Sequence, residues 1–155
     1  MGGMKKPYFY QTRRVKQARF SKNRLKTITV QSDPVPLTGS VKGKPATDIE
    51  ERFARALVSL GLDFSFQVRF STVGSLPWLE KVVDFVVQAS GVFQPVEVDG
   101  DIGHRTSAQR GRDAIREVLL NEVFVRLGYL PLIRVKWFEL ESQEMADSVV
   151  RRLFK

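Results

Sequence analysis

Two valine-rich runs constrain this chain most. Residues 81–88 read KVVDFVVQ and residues 92–98 read VFQPVEV, with Ala89, Ser90 and Gly91 between them. Both runs are short and rich in β-branched residues, and the gap contains Gly, so they predict two antiparallel strands joined by a tight turn. Each run carries one acid in its apolar stretch, Asp84 in VVDFVV and Glu97 in PVEVDG. A carboxylate in a strand core costs several kcal/mol unless it is paired or bound to a cation. The hairpin brings the two acids onto adjacent strands, and the spacing permits one shared face. Two readings follow. The pair holds a hard divalent ion such as Mg²⁺ through oxygen ligands, or it forms a buried salt bridge with Arg69 or Arg134. Pro95 argues that part of the second strand has no partner on its N–H side, or is bulged.

The surrounding pattern supplies a frame for that hairpin. Thr47 with Glu50 three residues on is a capping-box signal, and Ile49, Phe53, Ala56, Leu57 and Leu60 form one helical face ending at Gly61. Phe64, Phe66, Val68 and Phe70 alternate with polar residues as a half-buried strand. After the two valine-rich strands, Ile115, Leu119, Val123 and Leu127 recur every four residues, predicting a long helix over 106–127 stopped by Gly128. Residues 130–137 (LPLIRVKW) make a fourth strand, and Ser142 caps a closing helix to Phe154. The expected fold class is α/β (α+β): a mixed four-stranded sheet flanked by helices, in the order αβββαβ plus a C-terminal helix.

Charge divides the chain. Residues 1–44 hold 11 basic side chains and one acid, whereas the remaining 111 residues are slightly acidic. Residues 31–45 (QSDPVPLTGSVKGKP) read as a linker, so we expect a basic arm and linker over 1–45 and a compact domain over 46–155. Residues 27–30 (TITV) suit a short strand within the arm. The density of like charge suits a polyanion, above all nucleic acid, through Lys5, Lys6, Arg13, Arg14, Lys16, Arg19, Lys22, Arg24 and Lys26. Tyr8, Phe9, Tyr10 and Phe20 lie among these charges, placed either to stack on bases or to pin the arm to its own domain.

There is no cysteine, which excludes disulfides, thiolate zinc sites and cysteine nucleophiles. One histidine excludes a metal site needing two from one chain. No apolar run approaches a membrane span of about 20 residues, and the first residues lack a secretory signal. The expectation is a soluble, cytoplasmic protein without a membrane partner.

Other residues have chemistry in reach of the paired acids. His104 lies in a loop after Asp99, between Gly103 and Arg105, where it suits proton transfer or phosphate contact. Glu50 either closes the capping box or joins the site. Gln67 either reaches the same pocket or faces solvent. Asp113 and Arg116 read as an exposed (i, i+3) pair, and Arg110 and Arg112 as phosphate contacts.

The string VDF, then VEVDGDIGH, a long helix, Gly128-Tyr129 and LIRVKW resembles the PD-(D/E)xK restriction-endonuclease-like superfamily. It resembles the branch of very-short-patch repair endonucleases and their small endonuclease-like relatives. There a Val-Asp-Gly-x-x-x-His run follows the core strand, matched here by Val98 to His104. The likeness spans about residues 47–140 and leaves out the arm. It implies a restriction-endonuclease-like core with Asp84 as metal-binding aspartate, Glu97 as second acid, the Val98 carbonyl as a further ligand, His104 near the scissile phosphate and Glu50 as the first-helix acid. Asp99 stands where the family carries lysine, and Lys81 or Arg105 are the nearby cations that can replace it. The tryptophan-bearing loop and zinc site of the mismatch-repair enzymes are absent, so T:G specificity is not implied.

The resulting expectation is an endodeoxyribonuclease dependent on Mg²⁺ or Mn²⁺, with DNA favoured over RNA. Asp84, Glu97, Asp99, His104 and Glu50 are its candidate catalytic residues, and Arg105 joins the arm in gripping nucleic acid. The alternative is a catalytically inactive nuclease-like binding subunit of a larger nucleoprotein assembly. A homodimer would allow two strands to be cut.

Overall fold

The structure is a computed structural model that describes residues 33–71, 80–100 and 107–155. The chain divides into two units, Met1–Pro34 and Val35–Lys155. The fold below is that of the second. The nine basic arm residues from Lys5 to Lys26, the TITV segment, His104 and Arg105 lie outside the described residues.

The elements run β1 (Ser40–Val41), β2 (Lys44–Pro45), α1 (Asp48–Ser59), β3 (Asp63–Phe70), β4 (Lys81–Ala89), β5 (Val92–Asp99), α2 (Ser107–Leu127), β6 (Ile133–Lys136), a 3₁₀ turn (Trp137–Glu139) and α3 (Gln143–Phe154). The main sheet has the order β3-β4-β5-β6. Its first three strands are antiparallel neighbours, and β6 lies parallel to β5 after the α2 crossover. This is the mixed four-stranded sheet that the sequence pattern predicts.

One face of the sheet packs under α1 and α3. Phe64, Phe66, Phe85, Val87, Val96 and Val98 meet Phe53 and Leu57 of α1 and Ala146, Val149 and Val150 of α3. Phe85 centres this layer, with ring centroids 5.0 Å from both Phe53 and Phe66. The opposite face is smaller: Phe70, Val83 and Val86 pack on Leu120 and Phe124 of α2. The α1 start is as read: Thr47 accepts from the Glu50 N–H, and the Glu50 carboxylate accepts from the Thr47 N–H at 2.7 Å. Ser142 likewise accepts from Met145 at the start of α3.

Two features set where the acids fall. The β4–β5 turn has two central residues, Ser90 at φ 51° and Gly91 at φ 78°. Both are positive, the signature of a hairpin whose turn twist matches that of its strands. It pairs Ala89 with Val92 and runs down to Phe85 with Val96, so Asp84 and Glu97 follow as opposing positions. The second feature is a break in β3–β4. The ladder pairs Phe66 with Phe85 and Val68 with Val83, but skips Gln67 and Asp84. Gln67 has φ 51°. On either side of it the side chains change faces: Phe64 and Phe66 join the α1–α3 layer, Val68 and Phe70 the α2 layer. Asp84 therefore stands where the strand alternation is interrupted.

Residues 31–45 were expected to be a linker, but residues 40–45 form a small hairpin whose turn, Lys42 (φ 49°) and Gly43 (φ 78°), repeats the same geometry. Val41 is buried in the main core. Lys42 donates to the Phe64 carbonyl, Lys44 donates to that of Phe66 at 2.8 Å, and the Gln67 amide donates to the Pro45 carbonyl at 3.0 Å. β3 is an edge strand, and its outward carbonyls are covered by these ammonium groups; edges left open invite pairing with another chain. Lys42 and Lys44 thus belong to the fold, not to a free basic arm.

The fourth strand is shorter than the predicted 130–137, because Pro131 interrupts its start and Trp137 begins the 3₁₀ turn. Pro95 is buried but causes no lost bond: β6 pairing begins at Val96, so nothing is demanded of the Pro95 nitrogen on that side.

Candidate active site

Where β4, β5 and β6 run toward α2, a polar cavity of about 300 Å³ opens beside the sheet. Lys81 and Asp84 of β4, Glu97, Val98 and Asp99 of β5, and Arg134 of β6 line one side; Asp113 and Arg116 of α2 line the other. Four of the sequence candidates, Asp84, Glu97, Val98 and Asp99, thus meet in one place.

Asp84 sits at the break in the ladder. Its Oδ2 accepts from the Val98 N–H at 2.8 Å, standing in for a strand partner. Burial pushes its carboxyl up to about 6; the Val98 N–H opposes this, the Glu50 and Glu97 charges add to it, and Lys81 opposes it. A carboxylate in that condition gains from taking up a proton or a cation. In an extended strand the N–H and C=O of one residue project from the same edge, so the Val98 carbonyl faces the Asp84 side.

Glu97 is 7% exposed and fully engaged by cations. Its Oε1 lies 2.5 Å from Lys81 Nζ, and its Oε2 lies 3.0 Å from Arg134 Nη1. Parallel pairing of Glu97 with Arg134 on β5–β6 makes the second contact local to the sheet. Arg134 also donates to Asp99 Oδ1 at 3.0 Å and to Glu117 Oε2 at 2.7 and 2.9 Å. Burial works against its charge, but the surrounding acids hold the guanidinium pKa above its ordinary value. Asp99 takes a second cation, Lys136, at 2.7 Å. Burial would raise the Asp99 carboxyl; Lys136 and Arg134 outweigh this and hold it below the ordinary range.

The salt-bridge reading of the two strand acids therefore describes Glu97, with Arg134 as partner, and not Asp84; Arg134 takes Asp99 as well. Arg69 is elsewhere, against Glu80 at 3.4 Å. Lys81, at the start of β4, brings its ammonium group onto the Glu97 carboxylate. Glu50 does not line the cavity: it closes the capping box and acts on Asp84 through its charge. Gln67 turns to the β1–β2 hairpin.

The residues suit a hard divalent ion at one corner. Asp84 and the Val98 carbonyl are oxygen donors side by side, and Mg²⁺ commonly takes one or two carboxylates and keeps several waters. Among the described residues, no three His, Cys, Asp or Glu side chains form a metal-binding group. No described helix is long and apolar enough to cross a membrane.

A second, larger groove of about 460 Å³ runs between the small hairpin and α1. Its walls are mostly apolar, with Val41, Ala54, Val58 and Phe64. The acid at its floor, Glu51, was missed from sequence. Glu51 is 3% exposed and accepts from the Thr38 N–H at 2.9 Å, the Gly39 N–H at 2.7 Å, the Thr38 hydroxyl at 3.0 Å and Arg55 at 2.7 Å. Burial would raise its pKa, but these donors bring it down to about 2. Arg55 is its (i, i+4) neighbour on α1, but its other partners, Thr38 and Gly39, lie 12 or 13 residues upstream, inside the segment that reads as linker, so no local pattern reveals the clasp.

No protein-family model matches the chain, and no curated protein matches it. Among solved structures the chain is similar to a crystal structure of a protein of unknown function, AF1548. That likeness has 15% identity, covers 69% of this chain and 55% of that one, and has a TM-score of 0.36. The chain spans about half the length of that protein, and likeness at this level assigns neither a fold family nor an activity.

Proposed function

We propose that the cavity around Asp84 is the active site of a metal-dependent endonuclease that hydrolyses phosphodiester bonds, with DNA as the favoured substrate. The observation that carries this reading is the state of Asp84: a carboxylate with burial raising its pKa, bonded to the Val98 N–H, opposite a second acid whose cation partners are Lys81 and Arg134. The Asp84–Glu97–Lys81 set has the chemistry of the PD-(D/E)xK pattern, with the lysine supplied from the start of β4 instead of position 99.

In this reading Asp84 and the Val98 carbonyl hold Mg²⁺ or Mn²⁺, with Glu97 as the second acid. The bound ion supplies Lewis-acid polarisation of the phosphate and activation of water. Glu97 orients the Lys81 ammonium toward the reacting phosphate, where it offsets developing negative charge. Arg134 fixes Glu97 and Asp99 in place. His104 and the arm residues stay as candidates for proton transfer and backbone grip, and a homodimer for double-strand cleavage.

The test is a supercoiled-plasmid assay with purified wild type and Asp84→Ala in Mg²⁺, Mn²⁺ or EDTA. Metal-dependent nicking by wild type is expected, reduced on the order of 10²–10³-fold in the variant, as loss of a few kcal/mol of transition-state stabilisation requires. Equal nicking by both proteins would end the proposal.

One observation favours a second reading. Glu97 and Asp99 are both neutralised by basic side chains. That arrangement also suits a non-catalytic nucleic-acid-binding subunit of a nucleoprotein assembly. Salt-sensitive binding without cleavage by any of the proteins would select it.

A further inference from the structure

The acid cavity does not end at α2. Past Asp113 and Arg116 it meets a second recess of about 390 Å³, on whose wall Arg112 also lies; Asp113 and Arg116 line both. Arg116 was read from sequence as half of an exposed surface pair. That pair is present, with Arg116 39% and Asp113 29% exposed, and beyond being a surface pair it lines both recesses.

The bonding of Arg116 differs from that of the other cations. Lys81 and Arg134 each contact acids at hydrogen-bond distance. Arg116 Nη1 lies 3.6 Å from Asp113 Oδ1, outside hydrogen-bond range. Its Nε is buried and, among the described residues, has no acceptor. The rest of the side chain is 39% exposed, so the guanidinium has one edge against the protein and its terminal nitrogens open to the recess, with only a long ion pair to Asp113. The fork of an arginine matches two oxygens of a phosphate in a way no ammonium does.

We infer that Arg116 is a phosphate-holding residue: the exposed terminal nitrogens of its guanidinium receive the non-bridging oxygens of a nucleic-acid phosphodiester at the mouth of the Asp84 cavity. Arg112 continues the same track toward the neighbouring phosphate. The inference rests on the nucleic-acid reading above and adds the side chain that orients the strand relative to the acids.

The experiment uses the full chain labelled with ¹⁵N, in EDTA. The arginine Nε–H signal of Arg116 is assigned by its disappearance in Arg116→Lys. A short thymidine oligonucleotide is titrated in, with inorganic phosphate as a separate arm. A saturable shift of the Arg116 signal with the oligonucleotide is expected. A still signal while other arginines shift would overturn the inference, as would a response to inorganic phosphate alone. In the plasmid assay Arg116→Gln is expected to lose about 10- to 100-fold in kcat/KM, chiefly through KM, with an unchanged melting temperature and partial recovery in Arg116→Lys. The two proposals separate cleanly. Wild type that does not nick but shows the Arg116 shift removes only the nuclease. Wild type that nicks with no Arg116 shift, and equally well as Arg116→Gln, removes only the phosphate role.

Discussion

Glu51 and Asp84 are both acids taken out of water, one under the small hairpin and one at the broken ladder of β3–β4, and they end in opposite states. Glu51 collects two backbone N–H groups, a hydroxyl and a guanidinium, and its pKa falls to about 2. Asp84 has the Val98 N–H, with two like charges working on it, and its pKa rises to about 6. Burial pushes both the same way; the number of donors decides the outcome. The first carboxylate is complete within the protein and acts as a clasp. The second has one N–H donor and the Lys81 charge against burial and two like charges, and this shortfall is the basis of the proposed cation site.

That comparison can be broken at either end. The largest stability effect is expected at the clasp. Glu51→Ala strands the Thr38 and Gly39 N–H groups and Arg55, and should destabilise by about 3–5 kcal/mol in urea unfolding. In the wild type, the Glu51 contribution is present above its unfolded value of 4.5 and is lost as pH falls from there toward 2. A variant as stable as wild type at pH 7 would show that the hairpin does not depend on this acid.

A smaller effect of opposite sign is expected at Asp84. Its folded pKa lies above the unfolded 3.8, so its stabilising contribution is full below 3.8 and is lost as pH rises through about 6. At pH 7 the ionised side chain is a burden to the fold. Asp84→Asn should therefore be more stable than wild type by about 1–2 kcal/mol at pH 7, discounted for partial exposure, with no gain at pH 3. Function and stability would then be opposed at one residue, as at sites kept for chemistry. A destabilised Asn variant would place Asp84 with Glu51 as a structural acid.

The two acids also differ in how far the sequence reveals them. Asp84 announces itself, since an acid amid valines in VVDFVV breaks the pattern that defines the strand. The Ser90-Gly91 turn places it opposite Glu97. The helices were legible for similar reasons, from local periodicity and the Thr47–Glu50 and Ser142 caps. Glu51 sits beside Glu50 in an ordinary helical run, and only the folded hairpin gives it partners. The hairpin itself was hidden by Pro and Gly content that reads as linker; its two positive-φ turn residues are what that content serves. The Glu97–Arg134 and Asp99–Lys136 ion pairs depend on parallel pairing with β6, a contact 37 residues away in sequence. The Gln67 break is a backbone event, and a polar residue in mid-strand does not distinguish it from a solvent-facing one.

The most direct measurement is a carboxyl ¹³C titration of the full chain, following Asp84 and Glu51 in one spectrum, with and without Mg²⁺. Asp84 should titrate near 6 in EDTA and move sharply lower when Mg²⁺ is added, while Glu51 stays near 2 in both. An Asp84 that titrates near 4 and ignores Mg²⁺ would contradict the account of this cavity as a cation-dependent catalytic site.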